Sequence, residues 1–305
     1  MLPFRILIIG CCSAKPTLRH NPSAQVVNVH DRLFLVDCGE GTQRELIRRG
    51  VPMGRIKRIF ISHLHGDHFY GLPGLLNTLA LSDIQGEVHI HAFPELQDML
   101  TPMLGYHKRS DGLNIVFHPH SAAGYETVFE DNAVSVTTLP LLHGVPCVGY
   151  VFHEKRSLPH IRPDVAARIG LPTSAMRAVK EGRGWTSPDG TQYPHEMLVT
   201  PSHEPRTYAY ITDTRPLPEL AAHIRGAGLL YHEATYASDC IEKALKYCHS
   251  TAAEAAEFAR EAQVGKLLIG HYSDRYADET PLLQEARTIF PHTDAAQEGM
   301  VVEVP

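Results

Sequence analysis

Three imidazoles and a carboxylate, His63, His65, Asp67 and His68, fall within the short stretch Ile61-Ser62-His63-Leu64-His65-Gly66-Asp67-His68. Two histidines one residue apart can turn their rings to one side of an extended segment, as neighbouring ligands of a single cation must. Gly66 then lets the chain turn sharply and point Asp67 and His68 elsewhere, which suits a second cation beside the first. Two cations need more ligands than this loop supplies, so the others must come from elsewhere in the chain. A histidine-rich surface loop is the alternative reading in a chain with 20 His. The flanking elements weigh against it, because Lys57-Arg58-Ile59-Phe60-Ile61 reads as a buried strand and Leu75 to Leu81, after Gly71-Leu72-Pro73-Gly74, reads as a helix.

The remaining candidates stand where other strands end. His143, between the strand Val134 to Leu139 and Pro146, is either a structural loop histidine or one of the missing ligands. Asp213 follows the strand Tyr208 to Ile211; its two oxygens can bridge two cations or cap a turn. His271 follows the strand Lys266 to Gly270. Asp37, at the end of the strand Leu33 to Asp37, either orients a ligand histidine or caps a turn. His249 precedes a helix opened by a Thr251 to Glu254 capping box, which suits an anion or simple packing beside the cap. Further strands are expected within Met1 to Gly10 and over Gln25 to Val29, Glu87 to His91, Leu113 to Phe117 and Leu229 to Tyr231. Helices are expected over Gln43 to Arg49 and Pro94 to Leu104, so strands with interleaved helices run through the first half.

A length of 305 residues, 43% hydrophobic and 20% charged, suits one large domain or two ordinary ones. The net charge of -6 taken alone argues mildly against a nucleic-acid partner, although a local patch can outweigh it. Such a patch lies at 153 to 185, with seven basic residues against three acidic ones, several Pro and Gly, and the only tryptophan, Trp185. It is either a solvated insertion or a basic arm gripping a phosphate backbone through Lys155, Arg156, Arg177, Lys180 and Arg183. The loop Gly10 to His20, with Lys15 and Arg19, is likewise a plain connection or a phosphate-facing loop. Six cysteines without Cys-x-x-Cys spacing suit reduced thiols and a cytoplasmic location, and the opening residues have neither a membrane span nor a signal peptide.

His63 to His68 with Gly71 to Gly74, Gly10 to Pro16, Asp37 to Gln43, His143 with Pro146 to Tyr150, and Asp213-Thr214 resemble, in order and context, the metallo-β-lactamase superfamily. His232-Glu233-Ala234-Thr235, His249-Ser250-Thr251 and His271 to Tyr276 narrow the resemblance to the ribonuclease Z family, endonucleases that trim the 3′ trailer from precursor tRNA. The resemblance implies an α/β fold, a four-layer αββα sandwich over 1–305, with a flexible arm inserted at 153–200 as a tRNA-binding exosite. It implies two zinc ions per subunit, replaceable by manganese or iron, with His63, His65 and His143 on one, Asp67, His68 and His271 on the other, and Asp213 bridging. It makes Asp67 the general base toward the attacking water, His249 a contact of the scissile phosphate and helper of the leaving oxygen, and Asp37 and Glu233 supporting carboxylates. A 3′-hydroxyl on the tRNA and a 5′-phosphate on the trailer are the implied products, and a homodimer without membrane association the implied form. Two departures stand out: Thr212 precedes the bridging aspartate where the family often has Gly or Ser, and Leu171 to Met176 replace the Gly-Pro-rich arm tip. Three rivals share parts of this reading: a phosphodiesterase or small-molecule hydrolase of the same superfamily, a non-catalytic RNA-binding protein on that fold, and a diiron redox protein.

Overall fold

In the strand Arg32–Val36, Phe34 and Val36 turn into one apolar cluster and Leu35 into another. A strand apolar on both faces must be covered on both, and that requirement builds the layers of this protein. The computed structural model describes residues 2–82, 84–105 and 112–305. By contact it divides into two units, Glu154–Pro205 and the remainder.

The larger unit holds β1 (Phe4–Gly10), β2 (Ala24–Val29), β3 (Arg32–Val36), β4 (Ile56–Phe60), β5 (Gly86–Ala92), β6 (Leu113–Pro119) and β7 (Thr127–Glu130). These are followed by β8 (Val134–Leu141), β9 (Cys147–Glu154), β10 (Thr207–Ile211), β11 (Leu229–Glu233), β12 (Lys266–Gly270), β13 (Thr293–Ala295) and β14 (Val301–Glu303). One seven-stranded sheet runs β14-β1-β2-β3-β4-β5-β6, antiparallel as far as β3 and parallel beyond it. The other runs β13-β12-β11-β10-β9-β8-β7, parallel from β13 to β10 and antiparallel from β10 to β9. Between the sheets Phe34 meets Phe152 at 5.7 Å and Phe60 meets Tyr150 at 5.3 Å, centroid to centroid. Leu46, Leu72, Leu75 and Leu79 cover the far face of the first sheet, and Ala255, Ala256 and Ala259 of the helix Ala252–Glu261 pack on the second. The order is thus helix, sheet, sheet, helix, the αββα arrangement that the sequence resembles. Among the described residues no helix is long and apolar enough to cross a membrane.

Among the elements that differ from their sequence reading, two bear on the site. β11 continues through His232 and Glu233, because both are buried and pair with Ile269 and Gly270 of β12. Gly66–Phe69 forms one turn of helix where a loop is expected, since a four-residue element is too short to show a hydrophobic period.

The smaller unit has its own core of Val165, Ala166, Leu171, Val179, Leu198 and Val199. Its helices are Pro163–Ile169, Thr173–Lys180 and His195–Leu198, joined by two short strand pairs, His160–Ile161 with Val199–Thr200 and Trp185–Thr186 with Gln192–Tyr193. It extends five residues beyond the expected end at 200. Over Glu154–Pro205 seven basic residues face six acidic ones, so the excess at 153–185 is nearly balanced by Asp189, Glu196 and Glu204. Arg177 pairs with Glu181 at 2.9 Å and Arg156 with Glu204 at 3.5 Å.

What positions the histidine loop is a close approach of backbones. Cys38 N–H donates to the His68 carbonyl at 2.7 Å and Gly71 N–H to the Cys38 carbonyl at 2.8 Å. A Cβ on Gly71 would lie 2.1 Å from the Gly39 carbonyl oxygen, and one on Gly39 would lie 2.4 Å from that of Asp67. Gly71→Ala is therefore expected to destabilise the protein by about 1–3 kcal/mol, read as a lower urea midpoint at unchanged slope; an unchanged midpoint would show that the loops can part without cost.

Candidate metal centre

The candidate ligands come together where strands end. His63 and His65 follow β4, with His65 still extended (φ -76°, ψ 145°), while Asp67 and His68 sit in the helical turn that it caps. His143 follows β8, Asp213 follows β10 and His271 follows β12. His63, His65, His143 and Asp213 form one group whose donor atoms lie within 4.8 Å of one another; Asp67, His68, Asp213 and His271 form a second. Asp213 belongs to both. Its Oδ2 stands 3.6 Å from His63 Nε2 and from His143 Nε2, and its Oδ1 stands 3.5 Å from His68 Nε2 and 3.1 Å from His271 Nε2.

In three of the rings the outer nitrogen is held by an acceptor, which turns the inner one toward the centre. His68 Nδ1–H donates to Asp37 Oδ2 at 2.7 Å, and His143 Nδ1–H to the Cys248 carbonyl at 3.2 Å. His271 Nδ1 meets Thr235 Oγ1 at 2.9 Å, and that hydroxyl donates to Glu233 Oε2 at 2.6 Å, so the ring is the donor. Each Nε2 is left with a lone pair facing inward. His68 Nε2 and His271 Nε2 are buried without a hydrogen bond, and His65 Nδ1 lies 3.1 Å from both His63 Nε2 and His143 Nε2. Converging lone pairs without donors fit a cation, and a set of imidazole nitrogens and carboxylate oxygens suits zinc, with manganese or iron as alternatives.

With only the protein's own charges present, the carboxylates draw a proton to His68, in the place that a bound cation would take. Burial opposes charge on His68, yet Asp213, Asp67 and Asp37 carry its pKa well above the usual range. Burial also works against ionised Asp213, but His271, His68 and His63 hold its carboxyl well below the usual value. For Asp67 burial is likewise outweighed, by His68 and His271, and its carboxyl is strongly lowered. His63 is lowered by burial and by His68 and stays neutral, as a ligand must.

Beside the second group lies a histidine–glutamate pair. His249 Nδ1 is 2.9 Å from Glu233 Oε1; burial lowers its pKa, but Glu233 raises it to about 9. Glu233 also accepts from Thr214 N at 2.8 Å and from Thr235 Oγ1 at 2.6 Å, so one carboxylate steadies His249 and, through Thr235, His271. Thr212 Oγ1 donates to Asp213 Oδ1 at 2.8 Å, giving that departure from the family pattern a task at the shared carboxylate.

The expected cations are less concentrated at the centre. Lys15 pairs with Asp274 at 2.8 Å and Arg19 with Glu279, so both are engaged with acidic residues of their own chain. Their loop contributes a backbone group instead, Ala14 N–H to Asp67 Oδ2 at 2.8 Å. Lys155, Arg156, Arg177, Lys180 and Arg183 belong to the smaller unit.

Residues that the sequence reading passes over also shape the centre. Asp37 accepts from Ser62 N at 2.8 Å, Ser62 Oγ at 2.9 Å and Tyr210 Oη at 2.7 Å, and its backbone is left-handed (φ 55°), as is that of His271 (φ 61°). A tyrosine on a fully buried strand is a signal that could have found Tyr210, because its hydroxyl must have a partner inside.

A family model described as anti-Pycsar protein Apyc1 matches residues 4–156. Over 304 residues the chain is 41% identical to a protein of Bacteroides fragilis named ribonuclease Z, covering 100% of both. It is 42% identical to one of the same name from Porphyromonas gingivalis, again covering 100% of both. The solved structure of human tRNase Z, short form, superimposes with a TM-score of 0.72 at 24% identity, covering 99% of each chain, a likeness of fold.

Tyr210→Phe and Asp37→Asn loosen the support of His68 while leaving every candidate ligand in place. Each is expected to weaken metal affinity roughly ten- to a hundredfold, measured by competition with a chelating dye. Equal affinities in variant and parent would show that His68 needs no outer partner.

Proposed function

The chain belongs to the ribonuclease Z family, and we propose that it removes the 3′ trailer from precursor tRNA as a zinc-dependent phosphodiesterase, leaving a 3′-hydroxyl on the tRNA and a 5′-phosphate on the trailer. The observation that carries this reading is the pair of four-residue donor sets sharing Asp213. His63, His65 and His143 would hold one ion, Asp67, His68 and His271 the other, with an Asp213 oxygen for each. Two divalent ions so held supply Lewis acidity, making water a nucleophile near neutral pH and neutralising charge on the phosphoryl oxygens.

The chain's own groups handle the protons. Asp67, ionised across the working range, accepts from the attacking water, with Ala14 N–H fixing one of its oxygens. His249, kept protonated by Glu233, donates to the leaving 3′-oxygen. Water as nucleophile needs no 2′-hydroxyl of the RNA, in keeping with the proposed ends.

The unit Glu154–Pro205 is proposed as the tRNA exosite, supported by Lys155, Arg156, Arg177, Lys180 and Arg183. In the family this arm reaches tRNA bound at a second protomer, so the active form is proposed to be a homodimer, a state that light scattering tests. A rival reading, hydrolysis of small phosphodiesters, would use the same two donor sets and need no exosite.

Zinc-loaded protein incubated with a labelled precursor tRNA, both new ends mapped, tests the reading. Turnover of a small chromogenic phosphodiester with the precursor left intact would reverse the order of the two readings. Asp67→Ala should abolish cleavage. His249→Ala should lower kcat by roughly 10²–10⁴ with metal content retained, and loss of metal in that variant would make the residue a support of the centre. His153 and Thr207 are cross-strand partners, so a hairpin turn can replace residues 155–205. That replacement is expected to weaken RNA binding while small-ester turnover survives; loss of both would deny the unit a separate role.

A further inference from the structure

A second cluster of potential ligands shares no residue with the two donor sets. Cys11 leaves the end of β1, His20 closes the loop that follows, and Glu298 lies just ahead of β14. Cys11 Sγ is 3.4 Å from His20 Nδ1 and 3.7 Å from Glu298 Oε1, and His20 Nδ1 is 2.8 Å from Glu298 Oε2. Cys11 is fully buried, and the other two side chains are only 10% and 11% exposed. Donor atoms around a tetrahedral zinc, at about 2.0–2.3 Å from it, stand roughly 3.3–3.7 Å apart. Cys11 Sγ already stands at that spacing from His20 Nδ1 and from Glu298 Oε1, while the other oxygen of Glu298 is held to His20 Nδ1 by a hydrogen bond that gives way when this nitrogen turns to a cation.

His20 also carries the mark of a ligand imidazole. Its far nitrogen, Nε2, is 2.7 Å from Glu279 Oε1, as a carboxylate typically orients a ring that binds metal through its other nitrogen. His68 with Asp37 has the same construction in the central site. Arg19 sits on Glu279 and is 3.2 Å from His20 Nε2, which confines the extra positive charge to that outer side. Glu298 Oε1 is fixed by Asn21 N–H at 2.8 Å. His20 and Glu298 line a cavity of about 510 Å³, which gives a cation and its water a way in.

We propose that Cys11, His20 and Glu298 bind a further, structural zinc-type cation through one sulfur, one nitrogen and one oxygen, with water completing its shell. Binding releases the Cys11 thiol proton and the His20 Nδ1 proton to solvent. Burial and Glu298 hold that thiol well above its ordinary pKa, so the thiolate depends on the cation for its counter-charge. The ion pins β1 and its loop to the C-terminal segment. The same loop donates Ser13 N–H to the Tyr272 carbonyl at 3.0 Å and Ala14 N–H to Asp67 at 2.8 Å, so its order bears on the central site.

A thiolate-to-cobalt(II) charge-transfer band reports on this cluster and not on the central site, because the central donor sets contain no sulfur. Metal-stripped protein reloaded with cobalt(II) is expected to show an intense near-ultraviolet thiolate-to-cobalt charge-transfer band. Elemental analysis should find one cobalt more per chain than in Cys11→Ala, which keeps the visible bands of the central site and loses the charge-transfer band. Should Cys11→Ala fail to fold, Glu298→Gln serves instead and should shift the band to higher cobalt concentration. The band does not depend on how many ions the central site takes, so it tests this proposal separately from the proposed activity. Cobalt-saturated wild-type protein without the band overturns the proposal, as does a band that persists undiminished in Cys11→Ala.

Discussion

Asp213 is a buried carboxylate with one oxygen turned to each of two groups of imidazoles, and the centre takes its form from that division. A buried negative charge is costly unless positive charge answers it from close by. Around Asp213 the answer can come only from imidazoles or from cations that the imidazoles hold. Asp37 and Glu233 repeat the pattern one layer out, each buried and each meeting a ring nitrogen and several hydroxyl or backbone donors. Three carboxylates so arranged leave little freedom in where His68, His249 and His271 can lie.

The fold serves this arrangement by delivering strand ends to one place. β3 and β4 run parallel in the first sheet, and β10, β11 and β12 run parallel in the second, so their C-terminal ends gather with Asp37, the His63 loop, Asp213, Glu233 and His271 attached. Parallel strands buried on both faces need long apolar runs, which Leu229 to Tyr231 and Lys266 to Gly270 supply.

Those runs are why so much was legible from residue types. An apolar β-branched stretch ending in His or Asp is a readable junction, and only a few side chains can ligate a metal, so residue types single out the seven candidates, while the layered sandwich follows from the family resemblance and not from any periodicity. The outer partners were not legible, because Ser62, Thr235 and Tyr210 act through hydroxyls common everywhere, and the Cys248 carbonyl could belong to any residue. The smaller unit shows the same limit. Its composition advertised charge, but two-residue strands and a four-residue helix are too short for a hydrophobic period, so the core around Val165 and Leu198 went unread. Lys15 and Arg19 looked like phosphate-seeking cations, yet both face acidic residues far along the chain, a pairing that no local pattern announces.

The left-handed backbones of Asp37 and His271 carry a consequence beyond geometry. A non-glycine residue in that region costs of order 1–3 kcal/mol and persists only where its surroundings enforce it. Here the enforcement comes from contacts made inside the centre, on His68 for Asp37 and on Thr235 for His271. Ions held there would clasp ligands from both sheets, and thermodynamic linkage would make that clasp part of folding itself. Opening either sheet at this edge would then mean surrendering the ions first, so the catalytic apparatus would double as the seam that keeps the sandwich shut.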